Sequence, residues 1–419
     1  MRTRSSRAIG PLGFLLFSVF MNTVAGVMIV PMVPRLMTEL GEKSAQAATE
    51  RLGLFLAVFA FAQFVAAPVL GALSDRFGRR PIILLSSLGM AADFFVMALA
   101  PSFGWLVIGR FFGGVMAGGW AASLAYFSDI TPEEHRTRRF GYVAAAASCG
   151  AMMAPVFGGL LAEVGTRAPF WIAGCVSLLA AGYAVVALPE SLEPDRRRPL
   201  RFGDMNVVGV GRQLLGRYPR LVRILVTYAV LLFALVGSQS ILAMYASLRF
   251  GWTPATLGLY AASLSLVGIV VQGVLVGRVV RHLGEPRTIL AGLTLQIAGL
   301  SGIAFARTGE ELWLSAVVLV FGGMATPALN AIANHQVPAS DRGRLAGASA
   351  SLASMIQIAA PPLFAGLLSF SYGRTSAFAA GSPFGAGAAL VAIALVCALT
   401  FLRPRRGEEA FDLRERKRA

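Results

Sequence analysis

Charge is what this chain has least of. Only 14% of its 419 residues are Asp, Glu, Lys or Arg, where about 25% is usual for a soluble domain. With 56% hydrophobic residues and a mean hydropathy of +0.68, the sequence cannot clothe a water-facing globule. Cysteine and histidine are equally sparse, at three each. Cys149, Cys175 and Cys397 fall in separate apolar runs, without disulfide or metal-ligand spacing, and read as packing residues. His135, His282 and His335 are scattered along the chain, so no metal constellation or nucleophile-and-base set can be assembled from them. Gly209-Val-Gly211-Arg stops short of a dinucleotide fingerprint. Neither an enzyme nor a resident cofactor is expected, and energy would have to come from an ion gradient, most simply of protons.

What the chain has instead is long apolar runs, at approximately 12–34, 52–73, 81–100, 103–126, 141–164 and 168–189, then 222–246, 256–281, 287–306, 310–333, 344–369 and 377–402. The runs lack the period-2 alternation of barrel strands, so the expected fold is an all-α polytopic membrane protein of twelve transmembrane helices. If both termini are cytoplasmic, 29 of the 37 Lys and Arg residues lie on the cytoplasmic side. Arg35, Lys43, Arg51, Arg167, Arg249, Arg307 and Arg374 lie outside, and Arg110 lies within a run. That bias is the positive-inside rule, and it accounts for the net charge of +16 without any nucleic acid. The Arg-rich start resembles a signal peptide, but its apolar run continues past Pro31 to Pro34 and reads as the first helix.

The sequence also repeats at an offset of 206. Gly71 and Gly78 map to Gly277 and Gly284. Pro132, Arg136, Arg138 and Gly141 map to Pro338, Arg342, Arg344 and Gly347, and Pro155 maps to Pro361. Two six-helix bundles in parallel repeat are expected at 1–189 and 221–402, with a cytoplasmic central loop at 190–220 and a basic cytoplasmic tail at 403–419.

Between the second and third runs lies Gly71-Ala-Leu-Ser-Asp75-Arg-Phe-Gly78-Arg79-Arg80-Pro81. The two glycines allow a tight turn and close helix approach. Asp75 can pair with an arginine or a helix N-terminus, and Arg79 and Arg80 supply cytoplasmic charge. A latch made in one conformation and broken in another fits this set; a plain positive-inside anchor leaves Asp75 without a role. The segment resembles the loop 2–3 signature of the major facilitator superfamily, and its flanks are similar to the tetracycline/proton antiporters of that family's drug-efflux branch. The resemblance implies the two-bundle fold, a substrate site near the midplane and alternating access.

Acids and bases inside lipid are costly and functional by default. Of 21 acidic residues only Asp93 lies well within a run, and of the basic ones only Arg110. Each sits 8.5 residues from the turn centred between Pro101 and Ser102, about 13 Å at a helical rise. They are therefore at matched depth and could pair if their faces agree. One reading is a buried ion pair that merely neutralises two charges; the other is a proton-coupling site in which Asp93 titrates and Arg110 modulates it. Both residues match positions of the tetracycline antiporters, in Gly89-Met-Ala-Ala-Asp-Phe and Gly109-Arg-Phe-Phe-Gly-Gly.

Gly141, Gly150, Pro155, Gly158 and Gly159 match the spacing of the antiporter motif, a small-residue groove with a proline kink, and Ala154 stands where a glycine is usual. The same resemblance implies an aspartate in helix 1, a histidine in helix 8 and an aspartate in helix 9; this chain has Asn22, Gly268 and Gln296 there, while Gln63, Gln272 and Asn330 match. Asn22, Gln63, Gln239, Gln296, Asn330 and Gln357 are the candidates for lining a substrate cavity. A mostly apolar cavity with a few amides suits an amphipathic organic solute better than a sugar or polyanion. The expected function is proton-coupled export of such compounds, drugs among them, by a monomer in the bacterial plasma membrane. The alternatives are export of an endogenous metabolite or siderophore, facilitated uptake, and, in a different class, a receptor that does not transport.

Overall fold

Long apolar segments in lipid must close every backbone hydrogen bond on themselves, and a helix does so locally. The computed structural model describes residues 9–29, 32–40, 44–132, 135–192, 195, 197, 217–338, 341–372 and 377–402. Among these there are helices and turns and no strands. Most of the central loop and the basic tail lie outside the described residues, as do Arg2, Arg4, Arg7, Lys43 and Arg374 of the charge count.

The helices are α1 (Ile9–Met28), α2 (Val33–Glu39), α3 (Ala45–Phe77), α4 (Arg79–Leu99), α5 (Phe103–Ala117), α6 (Trp120–Asp129), α7 (Arg136–Val164) and α8 (Ala168–Ala187). They continue as α9 (Pro219–Phe250), α10 (Pro254–Val270), a π-turn (Val271–Leu275), α11 (Val276–Phe305), α12 (Gly309–Gly322), α13 (Ala325–His335), α14 (Arg342–Tyr372) and α15 (Ala377–Leu402). Nine spans among the described residues are long and apolar enough to cross a membrane, and the chain is a multi-pass membrane protein. Its outward-facing apolar side chains, such as Val164 at 80% exposure and Val186 at 87%, have lipid rather than water to meet.

Several run boundaries differ from the sequence reading, each for a local reason. The first run does not continue to Pro34: α1 ends at Met28 and α2 starts at Val33, with two prolines in the intervening sequence and first turn. The run at 103–126 divides at Gly118 and Gly119, and the run at 310–333 divides at Gly323 and Met324, a similar place in the second repeat. The runs at 256–281 and 287–306 are joined as one helical path through the π-turn, broken at Gly284.

Gly78 and Gly284, the repeat partners, share an unusual backbone, with φ of +107° and +77° and ψ near 160°. L side chains rarely adopt it, so both sharp helix breaks require glycine.

The repeat extends into the packing of the third helix against the fourth. In the first half, Ser86, Asp93 and Val96 of α4 face Gly119, Gly113 and Gly109. At the same offset of 206, Gly292, Gly299 and Gly302 of α11 face Ala325, Leu319 and Ser315. Each pair keeps one larger and one bare residue but exchanges which helix carries which.

The described chain forms two compact units. One comprises Met1–Asn206, Val236–Leu266 and Ser354–Ala380, and the other Val207–Leu235, Val267–Ala353 and Gly381–Ala419. The first has a buried core at the start of α4, where Ile82, Ile83, Ala122, Tyr126, Phe127, Ala184 and Leu188 pack together.

Candidate functional site

The turn between α3 and α4 holds a polar network. The Arg79 guanidinium pairs with Asp75 one turn earlier, donates to Ser74 Oγ at 2.7 Å, and reaches Asp129 at the end of α6 at 3.3 Å. Ser74 is fully buried and in turn donates to the Gly71 carbonyl at 2.8 Å. Glu190, just beyond α8, accepts the backbone N–H of Arg79 at 2.9 Å and of Arg80 at 3.2 Å. These are free donors of the first turn of α4, where the helix dipole also favours a carboxylate. Ser191 Oγ donates to Asp129 at 3.1 Å, and Arg80 donates to the Val185 carbonyl at 2.6 Å.

Arg79 and its neighbours thus tie α3, α4, α6 and the end of α8 together. Asp75 takes the arginine, and the helix N-terminus goes to Glu190, an acid the sequence reading did not single out. A carboxylate directly after an apolar run and Pro189 was the available signal. Gly78 is required by its positive φ, and the Glu190 carboxylate lies in the space a Cβ there would take. Gly71 has open space around it, so close helix approach is not its role.

Deeper in the span, Asp93 and Arg110 are both buried. They do not form a hydrogen-bonded pair: neither carboxylate oxygen of Asp93 has a hydrogen-bond partner, and neither Nε nor Nη2 of Arg110 has one. Their faces diverge. Asp93 lies on the bare backbone of Gly109 and Gly113, whereas the Arg110 guanidinium stacks over Phe55 at 4.6 Å and Phe59 at 5.2 Å on α3. The glycines create the slot that takes an acid side chain on α4, and the two phenylalanines hold the cation through their ring faces. Neither aromatic was singled out from sequence, where both were part of an ordinary apolar run.

Three of the α7 glycines matched to the antiporter motif, Gly150, Gly158 and Gly159, are interhelical contacts. Gly150 of α7 leaves no room beside the Phe20 carbonyl of α1, Gly158 meets the Met28 backbone, and Gly159 meets Pro254 and Ala255 at the start of α10. The Pro155 carbonyl fills the space beside Gly258. Gly141 lies near the start of α7. A second crossing in the same unit has the same components: Gly53 of α3 meets the Pro361 carbonyl, Pro362 and Ala365 of α14, and Ser369 donates to Glu50 at 2.7 Å. Pro361 is the repeat partner of Pro155.

Two of the six amides line a cavity of about 300 Å³ in the first unit: Asn22 and Gln63, together with Ser18, Thr23, Ser86, Ser87 and Ser123 and an apolar wall that includes Phe59, Met90 and Trp120. The hydroxyls were not singled out because single serines in apolar runs carry no pattern. No side chain lining this cavity is charged. Asn330 lines a cavity of about 340 Å³ in the second unit, with Tyr228, Asn334 and Ser349. Gln296 is buried against Gly322 between α11 and α12, its Oε1 without a partner. Gln239 and Gln357 are exposed and line neither cavity. Gln272, in the π-turn, donates to the Gly323 carbonyl at 3.4 Å.

Similarity to known proteins runs the length of the chain. The family model of the Major Facilitator Superfamily matches residues 15–361 and 240–419. The tetracycline resistance protein, class C, of Escherichia coli is 33% identical, covering 83% of this chain and 87% of that protein. Multidrug resistance protein 2 of Bacillus subtilis (strain 168) is 28% identical, covering 83% and 86%. Among solved structures, a bacterial homologue of the human lysosomal transporter Spinster, inward-facing and occupied, superposes with a TM-score of 0.76 at 18% identity, covering 93% of this chain and 96% of that one. The glycine-broken turn carrying Asp75 and Arg79, the glycines of α7 and the matched family model lead to one assignment: this chain belongs to the major facilitator superfamily.

Proposed function

We propose that the chain is a proton-coupled exporter of amphipathic organic compounds in the bacterial plasma membrane, working as a monomer of twelve spans with both termini cytoplasmic. The count of twelve follows when Gly284 divides the long path from Pro254 to Phe305, and when α1 and the α5–α6 pair are each taken as a crossing. The two bundles are then residues 1–189 and 221–402, and the substrate site is the midplane between them.

The observation that carries the reading is Asp93: an acid buried in a transmembrane helix, with both carboxylate oxygens lacking a hydrogen-bond partner. A fixed structural charge in such a place would be expected to have donors. An unpartnered carboxylate is suited to taking up and releasing a proton, with the Arg110 charge close enough to bias it. The amides and hydroxyls around Asn22 and Gln63 supply neutral hydrogen bonds beside an aromatic and methionine wall, which suits a solute with polar and apolar faces. The relatives named for tetracycline and multidrug resistance support export, and tetracycline belongs in the first panel of compounds tested.

The test is reconstitution in liposomes with an imposed pH gradient, after a drug-susceptibility screen in a pump-deficient bacterial host has found a compound. Asp93→Asn abolishes gradient-driven accumulation and the accompanying proton flux, while downhill exchange survives. Uphill accumulation by Asp93→Asn at the wild-type proton ratio would refute the assignment.

A further inference from the structure

The offset of 206 carries the latch into the second half with its charges exchanged. Arg79 maps to Glu285, and Asp129 maps to His335. As Arg79 reaches Asp129 at 3.3 Å, Glu285 Oε2 lies 3.6 Å from His335 Nδ1. Each pair joins the residue after a positive-φ glycine, Gly78 or Gly284, to the last residue of a following helix, α6 or α13.

The exchange of sign has an electrostatic consequence. A helix carries partial positive charge at its N-terminus and partial negative charge at its C-terminus. In the first half, Arg79 stands at a helix start and Asp129 at a helix end, so both oppose their helix dipoles. Glu190 offsets this by accepting the first amides of α4. In the second half the acid stands at the start and the basic residue at the end, in agreement with the dipoles. A pair aligned with the dipoles needs no third carboxylate to offset it.

We propose that Glu285 and His335 form a second cytoplasmic latch, the reversed-polarity counterpart of Arg79 and Asp129, which positions the helix after Gly284 against α13 during transport. The proposal rests on the transport reading above. The imidazole is partly exposed, at 66% of its side chain, and makes a full ion pair with Glu285 only when protonated. Its contribution is therefore a modest bias on a moving part rather than a pillar of stability.

The test reads the second half directly and requires no transported compound. In a chain whose three cysteines are replaced by serine, Ser349→Cys on the wall of the second-unit cavity is labelled with a membrane-impermeant maleimide in inside-out vesicles. Glu285→Gln and His335→Asn are expected to change the labelling rate by up to about fivefold, the range of an exposed ion pair. His335→Arg fixes a positive charge beside Glu285 and is expected not to reproduce the change seen with His335→Asn. Glu285→Arg combined with His335→Asp, which installs the first half's polarity, should label more nearly as the parent does than Glu285→Arg alone. Parental rates for Glu285→Gln and His335→Asn, or a double variant no better than Glu285→Arg, would overturn the latch. A chain that exports no compound yet shows the charge-swap rescue would refute the exporter and leave the latch standing.

Discussion

The carboxylate of Asp93 occupies the space that a side chain on Gly113 would need, and the repeat partners reverse the arrangement, with Leu319 filling the space beside Gly299. Packing and coupling can therefore be separated at one site. Gly113→Leu alone overpacks the slot and costs about 1–3 kcal/mol. Asp93→Gly combined with Gly113→Leu copies the second half's arrangement, so thermal stability in detergent recovers toward the parent while uphill transport stays absent. A double variant as unstable as Gly113→Leu would show that the two interfaces are not equivalent.

Asp75 is the more exposed partner of its ion pair with Arg79, so its removal tests movement more than folding. Asp75→Asn keeps the shape and loses one of the two carboxylates paired with Arg79. Membrane insertion and yield are expected to match the parent, with transport reduced several-fold. Parental transport in a well-expressed Asp75→Asn chain would reduce the turn to a topological anchor.

Glu190 acts as a helix cap, which gives its variants a graded order. Glu190→Ala removes the acceptor for the Arg79 and Arg80 amides and should lower stability by about 0.5–2 kcal/mol, the range of a lost N-cap. Glu190→Gln retains an acceptor and should lose less. Thermal unfolding of the two variants side by side checks the order, and equal losses would mean that charge alone matters.

The crossings at Pro155 with Gly258 and at Pro361 with Gly53 depend on bare backbone. A leucine at Gly258 or Gly53 has no room while these helices touch, and favours any state in which they part. Labelling of Ser369→Cys by an impermeant maleimide from the outer side should accelerate in the Gly53→Leu background, because Ser369 lies at the same crossing, hydrogen-bonded to Glu50. Unchanged labelling would mean that the contact does not open.

Much of the architecture was legible because lipid leaves the chain few options. Apolar runs become helices there, and the proline and glycine punctuation marks most of their ends, although Gly118 and Gly119 broke a run that composition alone presented as continuous. The isolated acid and base could be picked out for the same reason, since a charge in an apolar run is conspicuous. Their relation could not be. Matched depth along two helices says nothing about rotation, and rotation sends Asp93 onto the α5 glycines and Arg110 onto Phe55 and Phe59. Glu190 escaped notice because its partners are backbone amides more than a hundred residues away, which leave no trace in side-chain pattern. The six amides were equivalent as sequence, and only helical phase separates Asn22 and Gln63, on a cavity wall, from the exposed Gln239 and Gln357.

The exchanged pairs between the third and fourth helices of each half bear on how the two halves can diverge. A single step in one half toward its counterpart's residue either drives a side chain into its neighbour, as leucine at Gly113 would into Asp93, or opens a void, as glycine at Asp93 would. Two changes must then arrive together, and each alone is penalised. Such a barrier lets the halves drift apart by neutral routes around these pairs while blocking their return, so the asymmetry that sets Asp93 against Gly113 in one half and Gly299 against Leu319 in the other works as a ratchet.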